Sequence, residues 1–187
     1  PRYAYWMYSA PVGGQTLEYL EEQKIFWEEA LNKVHSLLVY RMPENDFGWD
    51  QKKRLTDLIP SLKLYEGNLS FYKQLKQARL CINTCNSTPF LETLAVNFPT
   101  LIFWNPEHWE LRPSARPFFD ELREVGILHD SPKSAATKIN EIYQDPMAWW
   151  SLPEIQNVRE KFCRQFAYTS PTCLSEWKRE LEKLTGK

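Results

Sequence analysis

Between Leu80 and Trp104 the chain reads LCINTCNSTPFLETLAVNFPTLIFW, a run that few folds accommodate. Leu80, Cys81 and Ile82 are apolar enough for a strand covered on both faces, and Thr100 to Trp104 more so. Between them, Asn86, Ser87 and Thr88 make a polar turn. Ser87 or Thr88 suits the cap of a helix whose first turn holds Pro89, where a missing N–H costs nothing. Phe90, Leu91, Leu94 and Ala95 share one face of that helix. Asn97 suits a left-handed stop, and Pro99 prevents continuation. The unit is strand, turn, helix, strand. Where such a strand enters its helix, free N–H groups and the positive end of the helix dipole make a ready anion site.

The same alternation runs along the chain. Strands are expected at Tyr3 to Ser9, Ser36 to Met42, Leu62 to Tyr65, the two strands just described, and Ile127 to His129. Helices are expected at Thr16 to Val34, Asp50 to Leu58, Leu69 to Gln77, Ser114 to Val125 and Ser131 to Tyr143. Strands interleaved with helices imply crossovers of one hand and a mostly parallel sheet of about six strands. The expected fold is therefore a Rossmann-like three-layer α/β/α domain over residues 1–145. Residues 146–187 read as a Trp-rich helical extension that lies on the domain or on an absent N-terminal one. In parallel sheets ligands bind beyond the strands' carboxyl ends. The loops Ala10 to Gly14, Pro43 to Trp49, Glu66 to Ser70, Thr84 to Thr88 and Asn105 to Arg112 fall at that edge. No GxGxxG occurs, so a dinucleotide site of the NAD type is disfavoured.

Composition narrows the class. With 187 residues, 43% hydrophobic and 14% aromatic, the chain has material for a real core. A net charge of −1 gives no electrostatic case for nucleic acid. No apolar run reaches the roughly 20 residues of a membrane span. Pro1 rather than Met opens the chain, which leads to the expectation of an upstream segment. Cys81, Cys85, Cys163 and Cys173 lack zinc-site spacing and read as structural thiols in a reducing cytosol. No metal site is expected.

The motif STPFLETLAVNFPT (87–100) resembles the nucleotide-sugar-binding motif of GT-B glycosyltransferases. The surrounding sequence resembles CDP-glycerol glycerophosphotransferases. It is more similar still to a transferase family of bacterial surface-carbohydrate biosynthesis, matched here by Phe103, Trp104, Asn105, Pro106, His108, Trp109, Glu110, Leu111 and Arg112. The resemblance implies the C-terminal, donor-binding half of a GT-B-like enzyme. The donor substrate would be a nucleotide-sugar or CDP-polyol, with no further cofactor. A missing N-terminal domain would bring the glycan or lipid-linked acceptor. The location would be cytoplasmic, or peripheral at the inner membrane face.

Candidate site residues follow. Asn86, Ser87 and Thr88 hold a diphosphate or merely start a helix. Glu92, by resemblance, takes both ribose hydroxyls, one on each carboxylate oxygen; otherwise it is a solvated first-turn acid. His108, Glu110 and Arg112 share a loop. Arg112 suits phosphate and His108 suits proton transfer, which makes these two the catalytic candidates; the alternative is a loop anchored by Trp104 and Trp109. By resemblance Arg41 meets donor phosphates, although the His that glycerophosphotransferases carry nearby is absent, since Met42 runs straight into Pro43. Gly13 and Gly14 permit close approach of a ligand or simply turn the chain. His35 and His129 read as structural. No base–nucleophile set is visible, and without its N-terminal partner the piece is expected to bind donor without turnover. Alternatives are a sugar-nucleotide epimerase or hydrolase of GT-B fold, which needs added carboxylates, and a non-catalytic interaction domain docking through its aromatic tail.

Overall fold

The computed structural model describes residues 13–42 and 48–185. The strand expected at Tyr3 to Ser9 and most of the Pro43 to Trp49 loop lie outside them. A 3-10 turn at Gly13–Gln15 leads into α1 (Thr16–Glu29) and the short α2 (Asn32–His35). Then follow α3 (Gln51–Leu58), α4 (Phe71–Leu75), β1 (Cys81–Asn83), α5 (Thr88–Ala95), β2 (Thr100–Phe103), α6 (Arg116–Glu124), β3 (Leu128–His129) and α7 (Pro132–Ile142). Three helices close the chain: α8 (Pro146–Trp150), α9 (Pro153–Phe166) and α10 (Cys173–Thr185).

The sheet among the described residues has three parallel strands in the order β1-β2-β3. Cys81 pairs with Thr100, Ile82 with Leu101, and Phe103 with His129. Every residue of the central strand β2 is buried, as its unbroken apolar run requires. Successive side chains of a strand point to opposite faces, and β2 divides the core accordingly. Leu101 and Phe103 join Phe26 of α1, Ala30 just beyond it, and Ala135, Ala136 and Ile139 of α7. Ile102 and the following Trp104 join Phe90 and Leu94 of α5, Phe119 and Leu122 of α6, and Ile155 and Phe162 of α9. The second cluster is aromatic: the Phe119 and Phe162 rings meet edge-on at 5.1 Å, and Phe90 lies 5.7 Å from Trp104. Within the extension, α9 thus completes the layer of the two crossover helices.

The strand–turn–helix–strand unit forms as its residues dictate. Pro89 stands in the first turn of α5. Asn97 adopts φ 54°, with its N–H on the Leu94 carbonyl and the Phe98 N–H on the Thr93 carbonyl. That left-handed closure satisfies the helix's last carbonyls. Asn97 is further fixed because its Oδ1 accepts from the buried Trp150 indole at 2.7 Å.

Two expectations need correction. Ser36 to Met42 and Leu62 to Tyr65 do not form full strands; they share one parallel bridge, Tyr40 to Leu64, flanked by Tyr40 N–H to Lys63 O and Tyr65 N–H to Tyr40 O. Leu37 and Val39 are exposed there, so the apolar run is not covered on both sides. About six strands were expected and three form among the described residues. The helix expected over Thr16 to Val34 breaks after Glu29, where Ala30 and Leu31 turn extended. The cause lies on α7: the Asn140 amide accepts from the Leu31 N–H at 2.8 Å and donates to the Glu29 carbonyl at 3.0 Å. Asn140 thereby supplies both partners that a broken helix loses.

Candidate functional site at the carboxyl edge of the sheet

The first turns of α1 cross the carboxyl ends of β1 and β2. The Tyr19 hydroxyl lies 2.6 Å from Thr84 Oγ1, one residue beyond β1, and 3.4 Å from the Tyr40 hydroxyl. Glu18, its neighbour, turns to the loop after β2. Asn105 Nδ2 donates to Glu18 Oε1 at 3.1 Å, and His108 Nε2 lies 3.2 Å from Oε2. A carboxylate only accepts, so His108 carries its proton on Nε2 here. Glu18 is well exposed, whereas the His108 side chain is almost wholly covered. Glu22, one turn further along α1, is buried against the same loop.

The electrostatics follow from these positions. Burial pushes the Glu22 carboxyl above its usual value; the His108 charge and a hydrogen bond from Asn105 oppose that, and Glu18 adds to it. Burial also raises Tyr19 well above an ordinary phenol, with the neighbouring Tyr40 and Cys85 as further causes. Burial raises Cys81 to about 11 and Cys85 in the same direction, so neither is a ready thiolate. All four cysteines are free.

The turn after β1 carries Asn86, Ser87 and Thr88. Ser87 stands at the N-cap of α5, yet its side chain does not cap the helix. Its hydroxyl lies 3.1 Å from Cys85 Sγ instead. The first N–H groups of α5 thus have no acceptor in the Ser87 side chain. Glu92, one turn into α5, accepts from the Tyr72 hydroxyl; loss of solvent and that carboxylate raise the Tyr72 pKa. Gly13 and Gly14 are exposed just ahead of α1, and a Cβ at Gly14 would meet nothing within 4 Å. This is open space beside the edge rather than a tight turn that excludes side chains.

The remaining candidates stand differently. Arg41 is held by α4 and the residues just before it: Nη1 donates to the Leu69 carbonyl at 3.0 Å and to Gln74 Oε1 at 2.8 Å, with the guanidinium over the Tyr65 ring. Glu110 and Arg112 are exposed, and the Arg112 carbonyl accepts from Ala115 N–H at the approach to α6. His129 is structural in its bonding: Nε2 donates to the Gly126 carbonyl and Nδ1 meets Ser134 Oγ, while burial lowers its pKa. His35 donates to the Trp27 carbonyl and stacks on that ring. Glu18, Tyr19 and Glu22 belong to the edge although none stood out in the sequence; Thr84 and Asn105 open the loops expected there but were not singled out as site residues. One signal was there: Glu18 and Glu22 are like charges one helical turn apart, an arrangement that costs stability unless a partner faces it.

Among the described residues lie shallow cavities of about 400 Å³ on α6 and α9 and about 240 Å³ between α2, β1 and α7. Neither includes a residue of the edge. Among the described residues no group of three His, Cys, Asp or Glu side chains is placed to hold a metal, and no helix is long and apolar enough to cross a membrane.

The layout is that of a parallel α/β domain with polar groups converging beyond its strand ends. A family model described as LIC12162 family transferase matches residues 1–181, and the chain belongs to that family. No curated protein and no solved structure matches it.

Proposed function

We propose that this chain is the donor-binding domain of a transferase that uses a nucleotide-activated sugar or polyol phosphate in surface-carbohydrate synthesis. The observation that carries the reading is the β1–α5 junction. A helix N-terminus without a side-chain cap sits at the carboxyl edge of a parallel sheet, in a chain of a transferase family. The diphosphate would lie on the α5 N–H groups beside Asn86, Ser87 and Thr88, with Gly13 and Gly14 leaving it room. Glu92 would accept the ribose hydroxyls, exchanging its Tyr72 contact for them. The α5 N-terminus would stabilise the leaving phosphate as charge develops on it. A GT-B-like arrangement fits, in which a second domain brings the acceptor and closes the cleft against water.

Calorimetry with UDP, CDP, GDP and CMP tests the reading, and one nucleotide is expected to bind in preference. Glu92→Ala should weaken that nucleotide by about 1–3 kcal/mol, as loss of a charged hydrogen bond does. Unchanged affinity would remove Glu92 from the site. Absence of binding by all four would remove the donor reading.

A further inference from the structure

Glu18 is an exposed carboxylate held in place at both oxygens. Asn105 occupies one lone pair of Oε1, and His108 one lone pair of Oε2. Each oxygen keeps a further acceptor site. The holding groups come from a different element than Glu18 itself: they stand on the loop that leaves the central strand, and His108 is almost wholly covered. A long side chain on an exposed helix face ordinarily samples many rotamers. Here it is pre-positioned, so little entropy remains to be lost when a ligand binds.

The charge of the cluster selects what it can take. Glu18 and the buried Glu22 lie one turn apart, and each disfavours a further negative charge. Two carboxylates disfavour a phosphate at this spot, whereas the α5 N-terminus, which follows the loop that Thr84 opens, attracts one. Two functions are therefore separated along one edge: anion at the β1 end, hydroxyl donors at the β2 end. A carboxylate with one open acceptor site per oxygen matches two neighbouring hydroxyls.

We propose that Glu18, positioned by Asn105 and His108, forms the subsite for the hydroxyl groups of the moiety being transferred. The inference rests on the donor reading above and adds to it the place of the transferred group. It predicts that the cluster distinguishes a nucleotide-sugar from the bare nucleotide diphosphate.

The test uses the full chain and calorimetry with UDP-glucose, GDP-mannose and CDP-glycerol, each beside UDP, GDP or CDP. Wild type should bind one sugar- or polyol-bearing form more tightly than its free nucleotide. Glu18→Gln should weaken that form roughly tenfold or more, the loss of a charged acceptor, and leave the free nucleotide within about twofold. His108→Ala, which frees the carboxylate, should weaken the same form by a smaller factor. Glu28→Gln, on the same helix but away from the loop, should change neither, and thermal unfolding of each variant checks its fold. Equal weakening of both forms, or of neither, by Glu18→Gln overturns the subsite and leaves the donor reading standing. No binding of any nucleotide by wild type overturns the donor reading and the subsite with it.

Discussion

Glu22 sits on the second turn of α1 with Glu18 on one side and the Asn105–His108 loop over it. Burial holds its proton to a higher pH than the unfolded chain would. Below the ordinary carboxyl range of about 4.3 both states are protonated, and the side chain's contribution is fully present. As pH rises through the raised folded value, that contribution is lost, because the unfolded state ionises more readily. Glu22→Gln removes the ionisation but keeps the shape. The variant's melting temperature should approach that of wild type at pH 4 and exceed it by a growing margin toward pH 8. A constant difference across that range would show that Glu22 ionises alike in both states. Ser87 and Glu92 were legible as the start of a helix behind a strand, because three residues of polar turn and a proline spell that out locally. Glu18 and Asn105 were not, because their meeting spans 87 residues of chain.

At the scale of elements, the α5 stop shows local and distant demands on one residue. Asn97 must hold φ 54° and must accept from Trp150 Nε1. Asn97→Ala should cost about 1–2 kcal/mol for the left-handed backbone alone, with the lost side-chain bond added. Asn97→Gly relieves the backbone and should cost less; Trp150 keeps the 3.2 Å contact to the residue-97 carbonyl in both variants. Chemical unfolding of the two variants orders them, and equal losses would show that the backbone conformation carries no cost here. The helices α5, α6 and α7 were legible within a residue or two from apolar spacing and from Pro89, Pro117 and Pro132 near their starts. The break after Glu29 was not, because Asn140 makes it from a helix 111 residues further on. The weak pairing of Ser36 to Met42 was hidden for a related reason. A continuous apolar run marks a strand only if something covers both faces, and Leu37 and Val39 lie exposed.

Across the whole molecule, burial is unevenly shared. Phe162 of α9 lies in the aromatic cluster with Phe90 and Phe119, so Phe162→Ala should cost about 3–5 kcal/mol. α10 buries none of its residues, and Leu174, Trp177, Leu181 and Leu184 line up exposed along it. Truncation before Cys173 should therefore shift the unfolding free energy by no more than about 0.5 kcal/mol; a larger drop would mean that α10 supports the body of the fold. The two-faced core was legible from the apolar run of β2, since such a strand needs helices on both sides. The edge that gathers the polar groups depends instead on how α1 is rotated. Tyr19 and Glu18 are consecutive, yet one reaches the loop after β1 and the other the loop after β2. Adding or removing a single residue of α1 between Tyr19 and Phe26 would turn both about 100° around the helix axis relative to Phe26. The two loops would lose their common strut together while the apolar contacts of Phe26 and Ala30 further along could stay in place. Spacing along this stretch is thus constrained as tightly as side-chain identity, and variants of differing length there trade the edge's geometry without touching its chemistry.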